Sequence, residues 1–541
     1  MELEFRRHRA GTAAVRDGLP MIQGEMQDWP LTLDKLLDHA AKWWPERQVV
    51  TARDGGRTDR VGYAELRGRA RRVSAALARL GVVPGNPVAT LAWNTQAHVE
   101  TWYGVMGMGA VCHTLNPRLT EAQLSAMLVQ SQAAVLIASA DLAPLARRVM
   151  ARTPSLKRVL EIDADAWTDG GLEALLAGAD GEVVWGDFPE TAPCGLCFTS
   201  GTTGAPKGVT YTHRSSFLHT LRQLQSDVMG LGATDSVLTA VPMFHANAWG
   251  LPFAVPAVGA KLVLPGKHLD GASLARLIRE EGVTVAVGVA TVWLGLVDHL
   301  ETHGGETPTL QRIIVGGAPL APALMERIEA RLGAAIQMSW GMTELSPLGV
   351  CAPPQDPSRA AHISGRPAVG VDLLITDADG RALPEQRGVE GHLRVRGASV
   401  IQRYFGEENS AVDADGWFPT GDLARLEADG GLAITGRAKD LIKSGGEWIN
   451  PAELEAVVNE NPAVSLAVVI GRPDPKWGER PVLVVQTRAD HDVGDEALLA
   501  PLRGRVAPWW IPDAVIRLDE MPLAPTGKID KMRLRVDYGG C

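Results

Sequence analysis

At 541 residues the chain exceeds the roughly 250–300 residues at which a single hydrophobic core stops growing, so two or more domains are expected. An apolar fraction of 45% with 21% charged residues excludes a disordered or fibrous chain, and a net charge of −10 without a basic stripe argues against a nucleic-acid partner. Five cysteines, at 112, 194, 197, 351 and 541, are few and odd in number, which argues against a secreted disulfide framework; the N-terminus carries no apolar stretch of signal-peptide length, so a reducing cytoplasm is expected.

From about residue 31 to 190, helical patterns at 64–80 and 122–130 alternate with β-rich runs at 88–93 and 134–138, which predicts an α/β sheet. The apolar run 283–297 falls short of the roughly 20 residues that span a bilayer, and its valine alternation reads as a buried strand entering a helix. After about residue 370, strands at 373–376 and 391–395 and the turn Ala378-Asp379-Gly380 predict a smaller β-rich unit. A polar stretch at Gly436-Arg437-Ala438-Lys439-Asp440 marks a boundary, giving an N-terminal domain 1–438 and a C-terminal lid domain 439–541 with its hinge near 440. In the lid, Asn450 is placed as N-cap, Pro451 as first helical residue and Glu453 as partner in a capping-box-like arrangement. A helix at 452–459, strands at 465–470 and 482–486, a helix around 496–506 and a strand at 514–518 complete it. The predicted fold is a large α/β domain of several sheets with a β-rich subdomain, plus a small mobile α+β domain.

The most informative segment follows the strand-like 194–198: Thr199-Ser200-Gly201-Thr202-Thr203-Gly204-Ala205-Pro206-Lys207-Gly208. Its glycines and hydroxyls let backbone amides and OH groups approach phosphate oxygens while Lys207 adds positive charge, so it reads as a polyphosphate loop. It is not the common P-loop, because the spacing from Gly201 to Lys207 is wrong and Gly208 stands where a magnesium-binding hydroxyl is needed. Cys194 and Cys197 form a C-x-x-C with no second pair or histidine cluster, and both read as strand residues, not as a zinc or redox pair.

This loop resembles that of the adenylate-forming superfamily of acyl-CoA synthetases, luciferases and peptide-synthetase adenylation domains. The resemblance recurs in order at Pro242-Met243-Phe244-His245-Ala246-Asn247-Ala248-Trp249, Gly316-Gly317-Ala318-Pro319, Trp340-Gly341-Met342-Thr343-Glu344 and Thr420-Gly421-Asp422. It continues through Gly436 to Glu447 and into Pro525-Thr526-Gly527-Lys528, so the motifs span positions 199 to 528. The medium- and long-chain fatty acyl-CoA synthetases are the most similar, on the HANAW and GGEWIN segments.

The implied reaction has two steps: a carboxylic acid attacks Mg·ATP to form an acyl-adenylate and pyrophosphate, and the thiol of coenzyme A then displaces AMP. The implied co-substrates are ATP and CoA, with Mg²⁺ as cofactor and a fatty-acid-like acid as substrate. Thioether, aryl or polycyclic acids, and a carrier protein in place of CoA, remain open. Candidate catalytic residues are Lys528, His245 and Glu344. Besides the phosphate loop, the nucleotide would meet Gly316, Gly317 and Ala318, the run Trp340-Gly341-Met342-Thr343, and Asp422 and Arg437.

Elementary chemistry supports these roles. Thr343 and Glu344 offer hard oxygens suited to Mg²⁺. Asp422 has two oxygens for the vicinal ribose hydroxyls, Arg437 is a fixed cationic fork, Gly316 and Gly317 leave room for adenine, and Trp340 is able to stack on it. Most comparable enzymes carry Tyr at the Trp340 position. The resemblance further implies that His245 and Trp249 border the carboxylate and gate an acyl tunnel, that Asp440 is the hinge, and that Lys443, Gly445 and Gly446 line the pantetheine channel. The resemblance also implies a homodimer.

Overall fold

The computed structural model describes residues 25–164, 171–179, 183–199, 206–318, 320–354, 356, 359–488, 491, 493–524 and 528–540. Ser200, Gly201, Thr202 and Thr203 of the phosphate loop, Pro319, and Pro525 to Gly527 before the C-terminal lysine lie outside these residues.

Short apolar strands buried on both faces are what a parallel sheet covered by helices demands. Val285–Gly288 and Val111–Thr114 are buried along their whole length. Among the described residues the strands form four sheets, of nine, six, four and five strands. The nine-stranded sheet places Ala335–Gly341, Arg312–Val315, Val285–Gly288, Ser236–Thr239 and Lys261–Leu264 side by side. These five run parallel. The six-stranded sheet is parallel up to Pro193–Phe198, which then turns back on Gly208–Thr212 as an antiparallel hairpin.

The β-rich unit expected after residue 370 is the four-stranded antiparallel sheet Val371–Thr376, Glu390–Gly397, Phe418–Leu426 and Leu432–Arg437. The five-stranded sheet of the C-terminal region is built entirely from residues 442–517. The run 283–297 is a strand, Val285–Gly288, entering a helix, Ala290–His303. No helix among the described residues is long and apolar enough to cross a membrane.

Two details differ from the sequence reading. The helix expected around 496–506 stops at Leu499 and continues only as the 3₁₀ turn Ala500–Leu502. Pro501 lacks the amide an α-helix needs at that point. Asn450 caps the helix Pro451–Val458 as expected, but its side chain accepts from the Ala452 amide at 3.2 Å, one residue short of a capping box.

Candidate active site

In open α/β sheets ligands bind beyond the carboxyl ends of parallel strands, where helix N-termini and loops leave amides free. The motifs cluster there. The phosphate segment begins one residue after Pro193–Phe198, the Gly316-Gly317 pair follows Arg312–Val315, and Thr343-Glu344 follows Ala335–Gly341. The two ends of the glycine-rich segment are joined by the Thr199 amide donating to the Lys207 carbonyl at 2.9 Å, in line with the Phe198–Gly208 pairing of the hairpin.

Asp422 and Arg437 are direct cross-strand partners in the β-rich sheet, which is why two motifs fifteen residues apart meet. Arg437 Nε donates to Asp422 Oδ1 at 2.8 Å, and the indole Nε1 of Trp340 donates to Asp422 Oδ2 at 2.9 Å. Asp422 is buried, and burial pushes its carboxyl up while Arg437, Trp340 and Lys528 oppose the shift.

Glu344 is likewise buried and pushed up by desolvation, and its Oε1 accepts from the Tyr404 hydroxyl at 2.9 Å. The ammonium of Lys207 lies 4.8 Å from the centre of the Tyr404 ring. Tyr404 therefore links the phosphate-loop lysine to Glu344, a role that nothing in its sequence context announces. Thr343 is held by its own carbonyl, which accepts from the Tyr211 hydroxyl at 2.8 Å. A threonine hydroxyl and a carboxylate on adjacent residues are oxygen donors of the kind that suit a small hard cation taking its other ligands from phosphate and water.

The C-terminal lysine is docked into this cluster. A methyl group placed on Gly317, whose φ is +83°, would lie 3.3 Å from Lys528 Cε and 3.8 Å from its Nζ. Burial first, and then the nearby Arg437 charge, push the Lys528 ammonium down to about 8, with Asp422 acting the other way. His245 is pushed down to about 4 by burial, with Lys528 adding to the shift, so it is a neutral imidazole at physiological pH.

The other glycine of the pair meets the HANAW segment: a methyl on Gly316 would lie 3.1 Å from Trp249 Cη2. That segment is a left-handed turn, with φ of 44°, 52°, 46°, 53° and 78° from Ala246 to Gly250. Non-glycine residues in this region cost roughly 1–2 kcal/mol each, so the turn must be imposed from outside. Asn94 clamps its approach, donating from Nδ2 to the carbonyls of Thr239 and Val241 and accepting from the Met243 amide at 2.7 Å. Gln223 Nε2 donates to the Trp249 carbonyl at 2.5 Å. Neither Asn94 nor Gln223 sits in a recognisable motif; isolated buried amides give no sequence signal.

Asp440 lies in the 3₁₀ turn Ala438–Asp440 and accepts from Arg535 Nη2 at 2.8 Å. Lys443, Gly445 and Gly446 are exposed on the hairpin of Ile442–Ser444 and Glu447–Ile449, with the glycines at φ of 60° and 92° and Lys443 5.3 Å from the Trp448 ring centre. Cys194 and Cys197 are buried strand residues whose thiols are pushed up to about 12 and about 11 by desolvation, so both are protonated core side chains at neutral pH.

Residues 37–405 match the AMP-binding enzyme family and residues 453–528 match the AMP-binding enzyme C-terminal domain. The chain is 39% identical over 531 residues to a 3-methylmercaptopropionyl-CoA ligase of Ruegeria lacuscaerulensis, covering 95% of this chain and 98% of that one. It is 39% identical over 532 residues to a medium-chain-fatty-acid–CoA ligase of Ectopseudomonas oleovorans, covering 95% and 97%. Among solved structures, ATP-bound MatB from Rhodopseudomonas palustris aligns with a TM-score of 0.83 at 25% identity over 94% of this chain and 99% of that one, and apo MatB with a TM-score of 0.73 over the same shares. With both family segments matched along its length, the chain belongs to the AMP-binding enzyme family.

Proposed function

We propose that the chain is an ATP-dependent acid–CoA ligase that works through an acyl-adenylate on a fatty-acid-like carboxylic acid. The observation that carries this reading is the placement of Lys528, from the C-terminal segment, against Gly317 and within range of the Arg437 and Asp422 charges. A carboxylate approaching a triphosphate meets like charge, and a cation held there before reaction offsets it as charge moves onto the leaving pyrophosphate. The better alignment with ATP-bound than with apo MatB agrees with a closed arrangement of this kind.

In this reading Asp422 accepts the ribose hydroxyls, the loop 199–207 holds the phosphates and Trp249 faces the acyl group. Thr343 and Glu344 would hold Mg²⁺, which when bound screens the triphosphate charge. His245, uncharged, donates or accepts a hydrogen bond beside the carboxylate without adding charge. In the second step the CoA thiol attacks the acyl carbon and AMP leaves; Lys443, Gly445 and Gly446 border its path once the lid has turned about Asp440.

The two relatives reported, one for a thioether acid and one for medium-chain fatty acids, stand at equal identity, so the acid is decided by assay. Pyrophosphate release should be measured with ATP, Mg²⁺, CoA and a panel of straight-chain, thioether and aryl acids. Strongest turnover with straight-chain acids, and acyl-CoA as product, supports the reading. Turnover only with a phosphopantetheinylated carrier protein as acceptor, or with aryl acids alone, contradicts it.

A further inference from the structure

Both oxygens of the Asp422 carboxylate already carry a protein donor: Arg437 Nε at 2.8 Å on Oδ1 and Trp340 Nε1 at 2.9 Å on Oδ2. An ionised carboxylate has about four lone-pair sites, so each oxygen keeps one for an incoming hydroxyl. The Asp422 amide is tied in turn to Thr420 Oγ1 at 3.1 Å, and that hydroxyl donates to the Leu393 carbonyl at 2.8 Å. The carboxylate plane is thus held at both ends and at its backbone.

The indole reaches Asp422 only because of a gap behind it. A methyl on Gly349 would lie 2.6 Å from Trp340 Cζ3 and 2.8 Å from Cε3, well inside contact distance, so the six-membered ring rests directly on the Gly349 backbone. Trp340 is buried, 8% exposed, and an indole N–H is a donor only, so its one polar atom finds its acceptor in the carboxylate. Adenine stacking alone would need neither the seat on Gly349 nor the hydrogen bond.

We propose that Trp340, seated on Gly349, is a positioning residue that fixes the Asp422 carboxylate to accept two vicinal hydroxyls, and so makes the site select ribonucleotides over deoxyribonucleotides. This rests on the reading of Asp422 as the ribose-binding carboxylate. Phenylalanine at 340 keeps a ring on the Gly349 seat and removes the donor. The freed carboxylate then rotates, and the loss falls on the substrate that uses both oxygens.

The test compares acid-dependent ATP–pyrophosphate exchange with ATP and with 2′-deoxy-ATP in the wild type and in Trp340→Phe, Gly349→Ala and Asp422→Asn, each checked for an unchanged melting transition. Trp340→Phe should raise KM for ATP roughly ten- to a hundredfold, the loss of one hydrogen bond to a buried charge, with kcat within about threefold. The 2′-deoxy substrate should be little affected, so the preference for ATP collapses. Gly349→Ala, which displaces the indole while leaving it in the chain, should lower the preference in the same direction. If Asp422→Asn destroys the preference but a folded Trp340→Phe retains it, the positioning role is overturned and the ribose assignment stands. If Asp422→Asn leaves the preference intact, the ribose assignment and the positioning role both fall.

Discussion

Lys528 illustrates how one burial decides a pH dependence. An ordinary lysine stays charged to about pH 10, but in the closed site its ammonium is pushed down to about 8. The neutral amine is therefore better accommodated than the cation, so between pH 8 and 10.5 closure of the empty site strengthens as pH rises, and below 8 the buried charge opposes closure. The proposed reaction needs the opposite form. In the proposed mechanism the ammonium is the species that faces the phosphates, so kcat/KM for ATP in pyrophosphate exchange should fall as pH rises through about 8; a profile flat to pH 9.5 would refute this. His245, pushed down to about 4, should contribute no inflection near pH 6.5, and its replacement by Gln should leave the shape of the profile unchanged. Lys528→Ala should lower adenylate formation by a few hundredfold, about 3–4 kcal/mol, while CoA transfer from supplied acyl-adenylate is largely retained. Equal losses in both half-reactions would contradict a role limited to the first.

At the scale of elements, the turn from Ala246 to Gly250 departs furthest from what a sequence displays. HANAW is legible as a motif, yet nothing in five ordinary residues announces a run of positive φ, because the conformation is held by groups distant in sequence. Gln223 secures the Trp249 carbonyl, and Gly250 must be glycine because a methyl there would lie 2.8 Å from Gln223 Oε1 and 2.9 Å from the His219 ring. Gln223→Leu should relax the turn and move the indole off Gly316. Acyl-chain preference measured across a C4–C16 series should then shift, in the same direction as in Trp249→Ala; a sharp fall in melting temperature with the profile unchanged would make the indole a core residue only. Gly250→Ala should destabilise the protein by about 1–3 kcal/mol in denaturant titration, through the positive φ and the contacts together. Strands and helices elsewhere are legible because hydrophobic period is a local property: the sequence places a helix at 64–80 where Tyr63–Arg79 is found. The helix expected around 496–506 ends early because Pro501 interrupts its apolar spacing.

At the scale of the whole molecule, the segment carrying Lys528 is fastened to Asp440, the proposed hinge. The helix Lys531–Tyr538 follows the lysine immediately, and its Arg535 pairs with Asp440 while its Lys531 pairs with Glu455 at 2.8 Å. Proline at 440 fixes φ near −65° and removes an amide donor, so the closed orientation should persist while rotation is blocked. Asp440→Pro should retain acid-dependent ATP–pyrophosphate exchange and lose acyl-CoA formation by orders of magnitude. Arg535→Ala, which breaks the same ion pair without restricting the backbone, separates the two effects: near-normal acyl-CoA formation in this variant is expected. Unchanged acyl-CoA formation in Asp440→Pro would sink the rotating hinge at this residue.

The sequence by itself determined the family and the α/β architecture with its β-rich unit, and it named Asp422, Arg437, Glu344 and Lys528 as candidate chemical groups. These are carried by contiguous motifs and by hydrophobic period, both of which are local. Only the tertiary structure decided which of those groups touch. Asp422 meets Trp340 across 82 positions, Tyr404 reaches Glu344 across 60, and Lys528 comes to rest on Gly317. Those meetings depend on sheet register and on how one folded unit closes over another. The same holds for the protonation of Lys528 and His245, because a pKa is set by the water a fold removes and the charges it brings near, and neither is written in the order of the residues.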